Sequence, residues 1–130
     1  MDFISADVSF ISLRMILPKL CELLKDGANA VVLIKPQFEA GKKDIGKHGI
    51  VRDRKVHERV LSEIDASVAG AGLFAVDYTF SPVKGGSGNI EYLAELRKTS
   101  ETPLIRNFKE LVENSFSKLK EQSYESSIVP

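Results

Sequence analysis

Only one cysteine, Cys21, occurs in the chain, so no disulfide can form within it. That fits a reducing, cytoplasmic setting. Cys21 lies in an apolar helical run, where a thiol behaves as an inert small hydrophobe. Tryptophan is absent, and no low-complexity tract or internal repeat is present. No apolar run reaches the roughly 18 residues of a membrane helix. Met1-Asp2 leads straight into a strand-like run, which is not the pattern of a secretory leader. Formal net charge is also missing, with 18 Lys and Arg against 18 Asp and Glu. That excludes a chain that binds nucleic acid or membrane through its overall charge.

The 130 residues suffice for one domain or a piece of a larger one, and the 43% hydrophobic content is ordinary for a globular chain. The charge is unevenly placed. Residues 35–59 carry eight Lys and Arg against four acids. Such a cluster is either a solvated surface loop or a face for a phosphate backbone.

That segment lies within the stretch on which the chain is organised, Ala30 to Arg59. It starts as an unalternating apolar run, Ala30-Val31-Val32-Leu33-Ile34, typical of a parallel strand covered on both faces. The run ends on Lys35, and Pro36 stops the ladder for want of an N–H. A basic, glycine-punctuated loop follows, then a helix with Asp53 as its N-cap. Strand, charged tip, loop and helix form the layout of a ligand crevice in an α/β sheet.

Taken in order, Phe3–Val8 reads as a short strand with Asp7 at its carboxyl end. Ser9 or Ser12 can cap the next helix, in which Pro18 occupies either the first turn of a helix over 17–25 or a kink in a longer one. Ala30–Lys35 is the second strand. Val56, Val60, Ile64 and Val68 form the core stripe of the helix after Asp53. Leu73–Ser81 and Asn89–Arg97 read as an antiparallel hairpin with a long glycine-rich tip. Thr102-Pro103 starts a last helix, to about Gln122, with Phe108, Leu111, Val112, Phe116 and Leu119 on one face. The fold expected is α/β and three-layered, a mostly parallel sheet with an antiparallel edge hairpin. With its first strand edge exposed, it reads as the carboxyl-terminal half of a doubly wound, Rossmann-like domain. Residues 1–97 form that partial domain, and residues 98–130 a linker and an amphipathic helix.

Three motifs bear on chemistry. Gly41-Lys42-Lys43-Asp44-Ile45-Gly46-Lys47-His48 nearly matches a phosphate-binding loop, but His48 stands where a magnesium-ligating hydroxyl is needed. His48 and His57 are nine residues apart without a third ligand, so no metal site is expected, and His57 reads as a surface or phosphate-facing residue. Asp7 and Lys35 end adjacent candidate strands, and Glu91 starts an antiparallel strand at the same sheet edge. A lysine between two carboxylates is held charged or poised to take a proton from a hydroxyl. The alternative is three unrelated surface ions.

Four segments, Asp7-Val8-Ser9-Phe10-Ile11-Ser12-Leu13, Leu33-Ile34-Lys35-Pro36-Gln37-Phe38-Glu39-Ala40-Gly41, Gly49-Ile50-Val51-Arg52-Asp53 with Val56-His57, and Gly88-Asn89-Ile90-Glu91-Tyr92-Leu93, stand in an order and spacing that resemble the TlyA-type haemolysins. These are FtsJ-like, S-adenosylmethionine-dependent 2′-O-methyltransferases of ribosomal RNA. The resemblance implies a Rossmann-like methyltransferase fold and a Lys-Asp-Lys-Glu tetrad at the ribose. Asp7, Lys35 and Glu91 match three of its places. Lys35 would accept or orient the 2′-hydroxyl proton, and Asp7 and Glu91 would position Lys35. Asp7, Val8, Ser9 and Phe10 would flank the methyl end of the cofactor. Lys42, Lys43, Lys47, Arg52, Arg54 and Lys55 would contact RNA phosphates. The tetrad's first lysine, the glycine-rich cofactor loop and an S4-like RNA-binding domain have no counterpart here, so the main cofactor-binding half is expected to lie outside this chain, and the isolated chain to be inactive. Other readings are a non-catalytic module that pairs through its exposed sheet edge or carboxyl-terminal helix, forming a homo-oligomer or binding another chain, and a membrane-active haemolysin, for which no inserting segment is seen.

Overall fold

The computed structural model describes residues 2–7, 12–84 and 88–128, apart from the side chains of Lys47 and of residues 120–128. Val8, Ser9 and Phe10, named above as flanking a cofactor, lie outside the described residues.

The elements run β1 (Phe3–Ala6), α1 (Leu13–Leu23), β2 (Asn29–Ile34), α2 (Pro36–Glu39), α3 (Arg54–Gly70), β3 (Phe74–Phe80), β4 (Tyr92–Arg97) and α4 (Lys109–Ile128), with two 3-10 turns, Lys42–Asp44 and Lys47–Gly49, between α2 and α3. The sheet order is β1-β2-β4-β3. β1 and β2 are parallel, and β4 is antiparallel to both β2 and β3. Three strands therefore point one way, and β4 returns between two of them. The β3–β4 hairpin forms one edge and β1 the other.

The alternation of each strand decides which face is covered. Ala30, Val32 and Ile34 of β2 and Tyr92, Ala94 and Leu96 of β4 are fully buried, while Asn29, Val31, Leu33, Leu93, Glu95 and Arg97 are half-buried. The buried set meets Leu13, Leu17 and Leu20 of α1, Val56, Val60, Leu61, Ile64 and Val68 of α3, and Phe108, Val112 and Leu119 at α4 in one cluster. The helices thus cover one face, and among the described residues no helix covers the other. The expected three layers are two in this chain, because β2's unbroken apolar run has a helical layer on its even-numbered side alone. The excess apolarity of Val31 and Leu33 marks a face suited to further burial.

α1 starts at Ser12, whose Oγ accepts from Arg14 N at 3.2 Å, and Pro18 sits inside this single helix. Asp53 caps α3 by accepting from Lys55 N at 2.9 Å. The last helix begins at Lys109, six residues after Pro103. The preceding segment is extended because its own contacts hold it to the sheet: Lys98 N donates to Ala28 O, and Arg106 Nη2 to Ala75 O, at 2.9 and 2.8 Å. β4 likewise starts at Tyr92, since the Asn89 side chain is engaged with the loop before α3.

Candidate active site at the carboxyl ends of the parallel strands

β1 and β2 end side by side, and each is followed by a charged residue. Lys35 Nζ lies 2.7 Å from Asp7 Oδ1, with the lysine side chain 13% exposed and the aspartate 63%. The β2–β4 register pairs Ile34 with Tyr92. Continued by one step, it sets Lys35 opposite Glu91, on the same side of the sheet. Glu91 is 8% exposed and accepts from Gln37 Nε2 at 2.9 Å. Lys35 Nζ also lies 6.0 Å from the centroid of the Phe38 ring. Asp7 and Lys35 are in contact, then, and Glu91 joins them through the turn that Lys35 opens.

That turn contains two residues that spacing alone does not single out. Gln37 presents its amide N–H to Glu91 while its Oε1 is buried without a partner. Glu39, with a side chain 4% exposed, accepts from Ser12 Oγ and from Leu13 N, both at 2.6 Å. A carboxylate on the first N–H groups of an 11-residue helix is favoured by the helix dipole and by the orphan donors there. Glu39 therefore fixes where α1 begins, directly after residues 8–11. Its partners lie 26 and 27 positions away, so no local pattern shows them. The one available cue was a glutamate set among apolar residues just past a strand end. Glu39→Ala is expected to destabilise the chain by about 3 kcal/mol, read from urea unfolding, because it removes a charged helix cap and leaves two donors unpaired. A loss below about 1 kcal/mol would contradict this.

The basic stretch is less free than its sequence suggests. Lys42 and Lys43 are exposed on the first 3-10 turn, and Arg52 is exposed after the second. Arg54 pairs with Glu113, Lys55 with Glu58, and Arg59 with Asp44 and Glu63. Half of the cluster is thus balanced by neighbouring acids. The near-match to a phosphate-binding loop forms the two 3-10 turns, with His48 at φ 63°, and not one nest leading into a helix.

His57 corrects the expectation of a surface residue: it is fully buried. Its Nε2 meets Val51 O and its Nδ1 meets Tyr92 Oη, both at 2.9 Å. Burial pushes it below its ordinary value of 6.5, against the Val51 hydrogen bond and the Asp53 charge. Burial also pushes Tyr92 up to about 12. Buried Asn89 holds the same loop, accepting from Val51 N and donating to Gly49 O, each at 2.9 Å. The loop before α3 is thereby fixed to the start of β4, next to Glu91.

A larger cavity, about 610 Å³, lies at the other end of the sheet between Gly27, Gly72 and residues 98–103, away from Asp7, Lys35 and Glu91.

A mixed α/β sheet with charged groups at the ends of its parallel strands defines the class as part of a Rossmann-like domain. Residues 1–98 match the model of the FtsJ-like methyltransferase family, and the chain belongs to that family. YqxC of Bacillus subtilis, provisionally named as an rRNA methyltransferase, is 50% identical over 100 residues, 77% of this chain. The 16S/23S rRNA (cytidine-2′-O)-methyltransferase TlyA of Mycobacterium tuberculosis is 38% identical over 103 residues, 79% of this chain. The chain spans 36 to 38% of the length of these curated relatives. A solved structure from Streptococcus thermophilus, provisionally named a hemolysin, superposes with a TM-score of 0.88 at 44% identity, covering 95% of this chain and 45% of that one.

Among the described residues, no helix is long and apolar enough to cross a membrane.

Proposed function

We propose that this chain supplies the ribose-handling end of a site that methylates a 2′-hydroxyl of ribosomal RNA in the cytoplasm. The observation that carries the proposal is the ion pair of Lys35 and Asp7 at the ends of adjacent parallel strands, with Glu91 held across from it. A lysine accepts a proton only from its neutral form. In the ion pair with Asp7 its ammonium orients the 2′-hydroxyl oxygen. To take the hydroxyl proton as that oxygen attacks the methyl group it must first release its own to solvent, and Asp7 and Glu91 fix its position in either form. The chemistry that S-adenosylmethionine supplies when bound is an electrophilic methyl group. Of the residues that would flank the methyl end of that cofactor, Asp7 is described and stands beside Lys35, and the groups that would hold its adenosyl part are assigned to residues outside this chain. Lys42, Lys43, Arg52 and Arg54 would meet RNA phosphates, with Lys47 and Lys55 beside them.

Calorimetric titration of S-adenosylmethionine tests the reading. Binding is expected in a chain extended at its amino terminus to the length of the relatives, together with 2′-O-methylated nucleosides in digested ribosomal RNA. This chain alone should bind at least tenfold more weakly and be inactive, since binding energy adds over the contacts made. Equal binding by both would place the cofactor contacts within this chain. Absence of methylated nucleosides with the extended, cofactor-binding chain would overturn the ribose assignment.

A second reading, a module that pairs with another chain, is favoured by the β1 edge, where Phe3 is 59% exposed, and by the open sheet face beside it.

A further inference from the structure

A second cavity, about 400 Å³, opens beside the candidate active site, between the loop before α3, the β3–β4 connection and α4. Its cationic groups are Arg52, Arg54 and Lys84, and its apolar surface comes from Ile50, Ile90 and Phe116. Among the described residues, no carboxylate is part of its lining. Its volume lies within the range of sites that enclose one small ligand. We propose that this cleft takes one unstacked nucleotide of single-stranded RNA, next in the chain to the nucleotide whose ribose meets Lys35. This rests on the ribose-methylation reading and names how the RNA flank is held.

Three features point to a nucleotide over a bare anion. The first is the mixture of surfaces: a flat base needs an apolar or π surface, and its phosphate needs a cation within reach. Ile50 and Ile90 give the former, and the Arg54 guanidinium, stacked 4.9 Å from the Phe116 centroid, gives a planar cation on which a base can lie. Glu113, on α4, pairs with Arg54 and holds that plane in place. Arg52 and Lys84 are both exposed and line the cleft from the loop before α3 and from the β3–β4 connection, where they offer cations to a phosphate.

The second is rigidity. Asn89 bonds Val51 N and Gly49 O, and His57 Nε2 donates to Val51 O, so the wall formed by the loop before α3 is set before a ligand arrives. A preformed wall spares its own ordering on binding. The third is position. Ile90 directly precedes Glu91 at the start of β4, so the cleft opens at the same end of the sheet as Lys35.

The test is fluorescence anisotropy with a labelled single-stranded RNA pentamer and this chain, beside an abasic pentamer of equal charge and long-chain polyphosphate. The wild-type chain is expected to bind the RNA about tenfold more tightly than the abasic strand, as base stacking requires. The double variant Arg52→Gln, Lys84→Gln, exposed positions with an unchanged circular dichroism spectrum, is expected to lose about tenfold for RNA and to show a smaller salt slope. The comparison variant Lys42→Gln, Lys43→Gln should lose affinity equally for RNA and the abasic strand. RNA binding that the Arg52, Lys84 variant leaves intact overturns the cleft and leaves the RNA reading standing. Abasic strand or polyphosphate bound as tightly as RNA makes the cleft a plain anion site and overturns the nucleotide. No RNA binding by the wild-type chain overturns the cleft and counts against the RNA reading as well.

Discussion

Lys35→Ala is expected to lower 2′-O-methyl transfer by about a thousandfold in a chain long enough to be active, the range associated with losing a proton-handling side chain. The measurement is incorporation of labelled methyl groups into ribosomal RNA under single-turnover conditions. The fold should hardly notice. Lys35 follows the last residue of β2, its Asp7 partner is largely exposed, and the ladder from Asn29 to Ile34 does not need its side chain. A melting temperature within a few degrees of wild type is therefore expected for the variant. Asp7→Asn should act less severely, by roughly ten- to a hundredfold, since it removes an orienting partner and leaves the ammonium. Gln37→Leu should fall in the same range by releasing Glu91. Full activity in Lys35→Ala would remove this residue from the reaction, and a collapsed fold would mean the ion pair is structural.

How far the sequence announced this site depends on the range of each interaction. Lys35 was legible because it breaks an apolar run at a strand end, and Asp7 because it ends the neighbouring strand. Glu91 was legible as the start of an antiparallel strand at the same sheet edge, and the register from Asn29↔Arg97 to Ile34↔Tyr92 is what brings it opposite Lys35. The α3 stripe was plain from spacing in fours, and Asp53 from capping chemistry. Glu39, Gln37 and Asn89 were missed for one reason: their partners lie between 26 and 54 residues away. Lys84 was passed over because only the folded chain brings its glycine-rich connection to the same cleft as Arg52. The late start of α4 has a similar cause. Thr102-Pro103 is a sound local start signal, but tertiary contacts of Lys98 and Arg106 hold the segment extended. The number of layers was misjudged because an unbroken apolar strand reports an apolar environment on both faces without saying which chain segment provides it.

The buried histidine carries the largest stability effect expected in the chain. His57→Ala should destabilise it by about 4 kcal/mol, because it opens a cavity in the core and leaves Val51 O and Tyr92 Oη without their partner. Four close polar contacts run from Val51 O through His57, Tyr92 and Ser115 to Val112 O. With neutral His57 only three protons serve them: one on Nε2, one on Tyr92 Oη and one on Ser115 Oγ. The Tyr92–Ser115 contact, longest at 3.1 Å, is the one left short. An imidazolium would supply the fourth proton, yet burial outweighs that gain and holds His57 below its ordinary value. The unfolded chain then binds the proton at a higher pH than the folded chain. The contribution of neutral His57 to stability is complete above about pH 6.5 and is lost as pH falls below that towards the lowered folded value. Urea midpoints measured at pH 7.5 and 5.5 should fall with acidification in the wild type, and fall less in His57→Gln, which has no proton to gain. Equal pH dependence in both proteins would show that the titrating group lies elsewhere. Because His57 fastens the loop that ends in Asp53, the same acid-linked loss should loosen the wall carrying Arg52 and Arg54 before the β2–β4 ladder opens. Hydrogen exchange at Val51 N, which is held by buried Asn89, reports that order.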